Sequence, residues 1–289
     1  MNNSNNINQE MTNSSKVYAL FYSFFLIPLM LTIFGVLFFF LFKMLTYEKQ
    51  DPYHLLNNIQ SGALTKRWQS AYELSNLMRD FENIPNDQLF NNQLISMYEK
   101  SFHDDPRVRT YLALAMGQTK NKIFCETLHQ GLKDKDMENK IAAIKACGLI
   151  GCDQSIEFLN NLIINGENNQ EKLASVISVG FIGDLSSINF LKKALSDEEA
   201  NIRWDAAVSL AKLGDASGYD ILKKLLTRQY YENYPAVNDN EINNSILTIL
   251  ALSTRLESKT FENELKFLAN NEKNIKIREF AMKILSEYY

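Results

Sequence analysis

The sequence of 289 residues has few of the side chains on which catalysis usually depends. It contains only three histidines, three cysteines and 11 glycines. It has no glycine-rich phosphate loop, serine–histidine–aspartate arrangement or metalloprotease motif. An active site needs a nucleophile, an acid–base pair or a metal ion in convergent geometry. We therefore predict no enzymatic activity, no cofactor and no small-molecule substrate.

The few cysteines and histidines also argue against a metal site. Cys125 and His129 lie four residues apart on a predicted helix, but they supply only half of the four ligands that structural zinc requires. We interpret this pair as incidental. Cys147 occupies an apolar position and is predicted to be buried, as free cysteines commonly are. The odd number of cysteines, without a disulfide framework, fits a reducing compartment.

The chain lacks an excess of positive charge. Its formal net charge is −4, and residues 51–289 carry 27 basic against 32 acidic side chains. Nucleic-acid binders usually present a clustered basic surface. We therefore predict that nucleic acid is not a partner.

One long segment lacks charge altogether. Residues 17–42 contain 26 uncharged residues between Lys16 and Lys43. As a helix they would span about 39 Å, enough to cross a hydrocarbon core of about 30 Å. A cleaved signal peptide is the alternative, but its apolar region is usually only about 7–15 residues long and follows basic residues. The sequence favours a transmembrane helix over residues 17–43 of a single-pass protein of the cell (inner) membrane.

The flanking charges indicate an orientation. Lys16 precedes the apolar segment, whereas Lys43 and Lys49 follow it. Because cytoplasmic flanks are enriched in lysine and arginine, this distribution favours a cytoplasmic C-terminal part. We expect a disordered N-terminal tail over residues 1–16, a linker over 44–53 and a folded domain over 54–289.

The folded domain is repetitive. "RWQSAYELSNL" begins at Arg67 and is echoed by "RWDAAVSLAKL" from Arg203. Alignment of these segments with five others places a small residue at one shared position and an apolar residue just before it. The small residues are separated by 31–42 positions, which indicates a solenoid with two insertions. They are Ser75, Gly117, Gly148, Gly180, Ala211, Ala251 and Ser286.

Each unit is predicted to contain two helices. The small residue belongs to the second helix, where it lets a neighbouring helix approach closely. Gly151, Gly183 and Gly214 follow three of these helices, and glycine tolerates the left-handed conformation that often ends a helix. The aspartates that come next are positioned to cap the following helices. These are Asp153, Asp184 and Asp215.

The pattern "NIRWDAAVSLAKLGD" resembles the HEAT-repeat family, in the short bacterial form called PBS-lyase HEAT-like repeats. The resemblance covers about residues 104–228 well and 54–80 and 240–289 more loosely. It implies an all-α fold, an α-solenoid of about seven HEAT-like helical hairpins preceded by a single transmembrane helix. It implies a fold rather than lyase activity, since such repeats serve many functions.

Six units carry a basic residue eight positions before the small one. This column could bind an acidic partner, but the resemblance implies a structural ladder in which each basic side chain pairs with an acid in the preceding turn, such as Asp104, Asp105 or Asp197. We favour the ladder. Its members are Arg67, Arg109, Lys140, Lys172, Arg203 and Arg278, and Asn243 is the exception.

The two insertions interrupt the period. "NDQLFNNQLISMYEKSFHDDP" could add a helix between the first and second units. "RQYYENYPAVNDNE" lies between the fifth and sixth and brings Tyr230, Tyr231 and Tyr234, which are candidate partner-binding residues because amphipathic aromatics are enriched at interfaces. Trp68 and Trp204 are further candidates. Either an exposed binding role or packing between units is consistent with their positions.

An anchor joined to a solenoid predicts a scaffold or adaptor that mediates protein–protein interactions within a membrane complex, such as transporter, secretion or envelope machinery. The alternative is an accessory lyase or maturation factor that acts on a client held in the solenoid groove. That alternative requires a convergent polar pocket near Cys125, His129 or the basic column.

Overall fold

A computed structural model describes residues 21–45, 51–256 and 259–288 of the chain in two compact units. The first unit contains helix α1 (Tyr22–Leu45), whose first turns, Tyr22–Leu26, are π-helical. With 24 residues and a mean hydropathy of 2.7, α1 is long and apolar enough to cross a membrane. The predicted tail (1–16), the start of the predicted transmembrane helix (17–20) and the middle of the predicted linker (46–50) lie outside the described residues.

The second unit is an all-helical solenoid, which confirms the predicted fold. Its described residues form fourteen α-helices in seven successive hairpins, and no strand occurs among them. The first helices are α2 (Pro52–Ser61), α4 (Gln88–Lys100), α6 (Cys125–Gly131), α8 (Ile156–Asn165), α10 (Ile188–Ala194), α12 (Tyr219–Leu225) and α14 (Glu262–Asn271). The second helices are α3 (Leu64–Leu77), α5 (Pro106–Gln118), α7 (Met137–Ile150), α9 (Asn169–Ile182), α11 (Ala200–Lys212), α13 (Asp239–Ser253) and α15 (Ile275–Tyr288).

The first insertion does not add a helix to the repeat. Its helical part is α4, the first helix of the second hairpin, so the prediction of an additional helix was wrong. The extra residues are divided between the connection from Met78 to Asp87, which includes a short 3-10 turn over Phe81–Asn83, and α4 itself, which has 13 residues where α6 has 7. The sequence pattern was ambiguous because only the second helices carry the shared small residue.

Glycines end three of the second helices in the predicted way. Gly151, Gly183 and Gly214 have φ values of 79°, 85° and 77°, in the left-handed region. Asp184 and Asp215 then accept backbone hydrogen bonds two residues ahead and start the next turn. Asp153 does not, and its predicted capping role was wrong, because its carboxylate instead accepts from Lys122 Nζ at 2.8 Å.

The small residues pack second helices tightly against each other from α5 to α11. A methyl group added at Gly117 would lie 2.9 Å from Cα of Ala146, and one added at Gly148 would lie 2.7 Å from Cα of Ser178. At Gly180 the corresponding distance to Cα of Ser209 is 3.0 Å. Each small residue thus meets a second small residue on the next helix, and the backbones come into contact.

Candidate interaction surface

The basic column forms a ladder of ion pairs between consecutive units. Four of its six members pair with an acid of the next unit, 25 to 37 residues along the chain, and not with an acid in the preceding turn as expected. Arg109 and Asp134 are the most buried pair, with side chains 7% and 5% exposed and Nε 2.6 Å from Oδ2. The pairs are Arg67–Asp104, Arg109–Asp134, Lys140–Glu171 and Lys172–Asp197.

The ladder changes at the second insertion. Arg203 donates to the backbone carbonyls of Asp197 and Glu198 at 2.8 Å and to the hydroxyl of Tyr234 at 3.4 Å. The tyrosine, supplied by the insertion, takes the place of an acidic partner. This side chain is therefore held in position without a carboxylate contact among the described residues.

Asn243, at the next position of the basic column, has no charge. Arg228 of the second insertion supplies the missing positive charge. Arg228 donates to Asn243 Oδ1 at 2.5 Å and makes a bidentate contact with Glu272, with Nε and Nη2 2.8–3.0 Å from the carboxylate oxygens. Arg278, the last member of the column, donates to the backbone carbonyl of Glu272 at 2.9 Å. The second insertion thus completes the ladder from a different part of the sequence.

Trp204 and the three tyrosines of the insertion form one aromatic cluster. The ring of Trp204 lies 4.8, 5.8 and 6.2 Å from those of Tyr234, Tyr231 and Tyr230, all edge to face. Tyr231 is buried, and its hydroxyl lies 2.9 Å from both the Leu225 carbonyl and Ser245 Oγ. The other three side chains are half-buried. Four of the five predicted partner-binding aromatics therefore lie at a single place.

Trp68 lies elsewhere, in the first hairpin. The guanidinium of Arg107 stacks 4.1 Å above its ring, and Asp105 holds that guanidinium from the side. Both tryptophans are half-buried, each covered by side chains of the next hairpin along the chain. They therefore combine packing between units with a partly exposed edge.

A groove opens beside the aromatic cluster, between α11 and α13. These two helices pack against each other much less extensively than the preceding second helices do. At the contact where two small residues meet in earlier units, this pair has Ala211 and the bulky Ile249. The pocket in this groove has a volume of about 410 Å³, and Tyr231, Ala236 and Val237 of the insertion line part of it.

Two carboxylates line this pocket. Asp205 follows Trp204 on α11, and no hydrogen bond or ion pair holds it within the described part of the chain. Burial raises the pKa of Asp205 to about 6, although Lys212 opposes this shift. Glu241 stands across the groove, where one carboxylate oxygen accepts from the backbone of Asn238. The sequence analysis did not select Asp205; its place beside Trp204 in the repeat was the only available signal.

The cysteines are arranged differently from the expectation. Cys125, at the start of α6, forms a disulfide with Cys152, which follows α7, and their Cα atoms are 5.4 Å apart. The sequence analysis, which recognised no disulfide framework in the odd number of cysteines, did not anticipate this bond. Two of the three cysteines are bonded although their number is odd, and the bonded positions are 27 residues apart in the sequence. Cys147 is free and buried as predicted, and burial raises the pKa of its thiol to about 11.

The Cys125–His129 pair offers little to a reaction in this arrangement. The sulfur of Cys125 is bonded to Cys152, and His129 Nδ1 lies 3.2 Å from Ser155 Oγ. No group of three or more histidine, cysteine or acidic side chains suited to a metal ion occurs among the described residues. The basic column is likewise engaged in ion pairs and carbonyl contacts. The polar groups of the pocket lie two hairpins away from these cysteines.

Comparisons with known proteins agree with the fold. Residues 91–170 and 156–233 match the family model for HEAT repeats. A chain from the complex of CpcE and CpcF of phycocyanin lyase from Nostoc sp. PCC7120 is similar in structure, with a TM-score of 0.58, 18% identity and coverage of 83% of this chain and 88% of that one. At this identity the likeness shows the fold alone. No curated protein matches the sequence significantly.

Two further solved structures are similar at lower scores. Human deoxyhypusine hydroxylase has a TM-score of 0.35 and 14% identity, over 82% of this chain and 84% of that one. Computationally designed armadillo repeat proteins for modular peptide recognition have a TM-score of 0.38 and 14% identity, over 83% of this chain and 100% of that one.

Proposed function

We propose that this chain, which contains HEAT repeats, is a scaffold that holds a protein partner along its row of second helices. The observation that carries the proposal is the groove between α11 and α13 with the aromatic cluster beside it. From α3 to α11 consecutive second helices are closed against each other, whereas α11 and α13 leave a groove into which a partner could insert side chains. Aromatic side chains at such a place are typical of interfaces.

Helix α1 supports the second part of the proposal, a membrane anchor. None of its residues is buried, and phenylalanine and leucine cover it on all sides. A helix that is apolar all round is stable only where it is buried or within a membrane. We propose that α1 confines the solenoid beside a membrane complex such as transporter, secretion or envelope machinery.

The third part of the proposal concerns the side of the membrane on which the solenoid lies. Lys43 and Lys49 favour a cytoplasmic solenoid, but the Cys125–Cys152 disulfide favours an oxidising compartment, because thiols are kept reduced in the cytosol. The lysine bias rests on two residues against one. We therefore propose that the solenoid lies on the oxidising side, opposite to the orientation expected from the sequence.

Site-specific photocrosslinking of the full chain in its native membrane tests the scaffold. Thr248 lines the groove and is exposed, whereas Glu157 is exposed on α8 in the first-helix row. A photoreactive residue at position 248 should give discrete crosslinked bands that are weak or absent at 157. Equal labelling at both positions, or none at 248, would contradict the proposed binding surface.

Thiol labelling in intact cells tests the side of the membrane. The native cysteines are buried, with Cys125 7% and Cys152 1% exposed, so the probe is a cysteine placed at the exposed position 157. On the oxidising side, a membrane-impermeant maleimide should tag Glu157→Cys in intact cells, whereas the wild-type chain should stay untagged. If Glu157→Cys is tagged only after lysis, the solenoid is cytoplasmic.

The accessory lyase or maturation factor is the second candidate. Its support is the structural likeness to a chain of a phycocyanin lyase complex, which concerns the fold. The predicted polar pocket occurs beside one member of the basic column, where Arg67 and its ion-pair partner Asp104 line a cavity of about 190 Å³. Cys125 and His129 are instead engaged by Cys152 and Ser155.

Once crosslinking has identified the partner, its intact mass separates the two functions. The partner is purified, without crosslinking, from cells that contain the chain and from cells that lack it. A maturation factor would change the mass of the partner covalently, whereas a scaffold would leave it unchanged.

A further inference from the structure

The pocket between α11 and α13 has a chemical character that the scaffold proposal does not specify. Its volume of about 410 Å³ falls within the range of about 300–1,000 Å³ that is usual for ligand sites. Asn201, Trp204, Asp205 and Val208 line one side, at helical spacing along one face of α11. The rest of the lining is Glu241, Ser245 and Thr248 of α13 together with Leu225, Tyr231, Ala236 and Val237.

The carboxylate of Asp205 has no direct partner within the described residues. Lys212, seven positions along α11, is the cation that acts on it, but its ammonium lies 3.9 Å over the ring of Phe181 on α9. Arg203 points to backbone carbonyls and to Tyr234, away from this carboxylate. A partly buried, unpaired carboxylate costs free energy, which a cation inserted from outside would recover.

The aromatic wall suits the same kind of ligand. Trp204 lies next to Asp205 in the pocket and is fixed on its other side by Tyr230 and Tyr234. Tyr231 is fixed by its two hydrogen bonds to Leu225 and Ser245. A cation over a tryptophan or tyrosine face is stabilised by the ring quadrupole, more strongly where water is excluded. Glu241 adds a second negative charge opposite Asp205.

We propose that this pocket binds the cationic end of a lysine or arginine side chain presented by an extended segment of the partner protein. The proposal rests on the scaffold function and names the chemistry by which the partner is recognised. Val208 and Val237 would contact the aliphatic stem, and Asp205 and Glu241 would face the charged end. The hydroxyls of Ser245 and Thr248 and the amide of Asn201 can accept the remaining donors.

Fluorescence titration of the full chain in detergent micelles tests the proposal. The Trp68→Phe background leaves Trp204 as the only tryptophan, so its emission reports on the pocket alone. The probe is a capped pentapeptide with one central lysine, compared with the same peptide carrying N-acetyl-lysine and with butylammonium. We expect saturable binding of the lysine peptide, at least tenfold weaker binding of the acetylated peptide and weaker binding of the free amine.

Two variants complete the test. Asp205→Asn should weaken the binding of the lysine peptide at least tenfold, whereas Asp220→Asn, which removes an equal charge from an exposed position on α12, should leave the affinity within twofold. Equal affinity of the lysine and acetyl-lysine peptides overturns the proposal, and this comparison uses the same folded protein. Unchanged affinity in Asp205→Asn overturns it as well. Free amine binding as tightly as the peptide overturns the assignment to a protein partner.

The outcome is distinguishable from a failure of the scaffold function. Photocrosslinking at position 248 can be repeated with Asp205→Asn in the same membrane. If bands persist undiminished, a partner is held but not through this pocket, and the pocket proposal fails alone. If the wild-type chain crosslinks to nothing while the lysine peptide still binds selectively, the pocket stands and the scaffold function fails.

Discussion

Arg228 makes a bidentate contact with Glu272 although 44 residues separate them in the sequence. The carboxylate side chain is 3% exposed, and the contact joins the second insertion to the turn before the last helix. Burial raises the pKa of Glu272, but hydrogen bonds from Arg228 and from the backbone of Asn274 outweigh this and hold the pKa below its usual value. The pair replaces the ladder contact that Asn243 cannot make.

Removal of this arginine should destabilise the solenoid. Arg228→Met leaves the Glu272 carboxylate buried without its cation, and we expect the free energy of unfolding to fall by about 2–3 kcal/mol. Because the folded-state pKa of Glu272 is lowered, the contribution of the pair is present above the unfolded-state pKa and is lost as the pH falls. Denaturant titrations at pH 7.5 and pH 4 measure this. Lys266→Met, which breaks an exposed pair, is the control and should cost less than about 0.5 kcal/mol. Equal costs for the two variants would show that the Arg228 contact has no special role.

Neutralising Asp205 should have the opposite effect. Its folded-state pKa is raised to about 6, so the folded chain binds the proton more tightly than the unfolded chain does. The ionised carboxylate therefore destabilises the fold, and this penalty appears as the pH rises from 4 through 6. We expect Asp205→Asn to raise the free energy of unfolding by about 2 kcal/mol at pH 8 and by little at pH 4. Thermal melts of both proteins across this range measure the difference; a gain that does not vary with pH would refute the raised pKa.

Because the second helices approach each other closely, replacing glycine by alanine at their contact should lower the stability of the fold. In a helix, glycine to alanine usually stabilises by about 0.5–1 kcal/mol. Gly148→Ala should instead destabilise by about 2 kcal/mol or more, because the new methyl group would lie 2.7 Å from Cα of Ser178 and α7 and α9 would have to separate. Denaturant titration measures this against Lys145→Ala, an exposed change on the same helix that should stay within about 0.5 kcal/mol. A neutral or stabilising Gly148→Ala would show that the two helices have room to spare.

The disulfide should stabilise the third and fourth units. The bonded positions are 27 residues apart, and closing a loop of that size in the unfolded chain corresponds to about 3–4 kcal/mol in the chain-entropy model. We expect Cys125→Ser and reduction of the wild type to lower stability by similar amounts, and Cys147→Ser to act separately through the core. Because all three cysteines are buried, maleimide mass tagging is done in denaturant and should find one reactive thiol without reduction and three after reduction. Three tags without reduction would contradict the pairing.

Much of the fold was determined by the sequence alone. The small residues, the glycines after the second helices and the apolar spacing identified seven hairpins, because these are local requirements of helix contact and helix termination that each unit must satisfy by itself. The apolar run at the N-terminus likewise identified α1. The first insertion was misread because α4 carries only the general helical spacing, which cannot distinguish an extra helix from the first helix of a unit.

The tertiary structure decided what lies between the units. The direction of the ladder, the Cys125–Cys152 bond and the replacement of Asn243 by Arg228 depend on residues 25 to 44 positions apart, and no local pattern records which of them meet. The groove beside Trp204 lies where the bulky Ile249 stands at the repeat position that Ala146, Ser178 and Ser209 occupy in the earlier units. Each of the two flanking helices follows the repeat by itself. Only their packing against each other decides that a groove lies beside Asp205, which has no partner among the described residues.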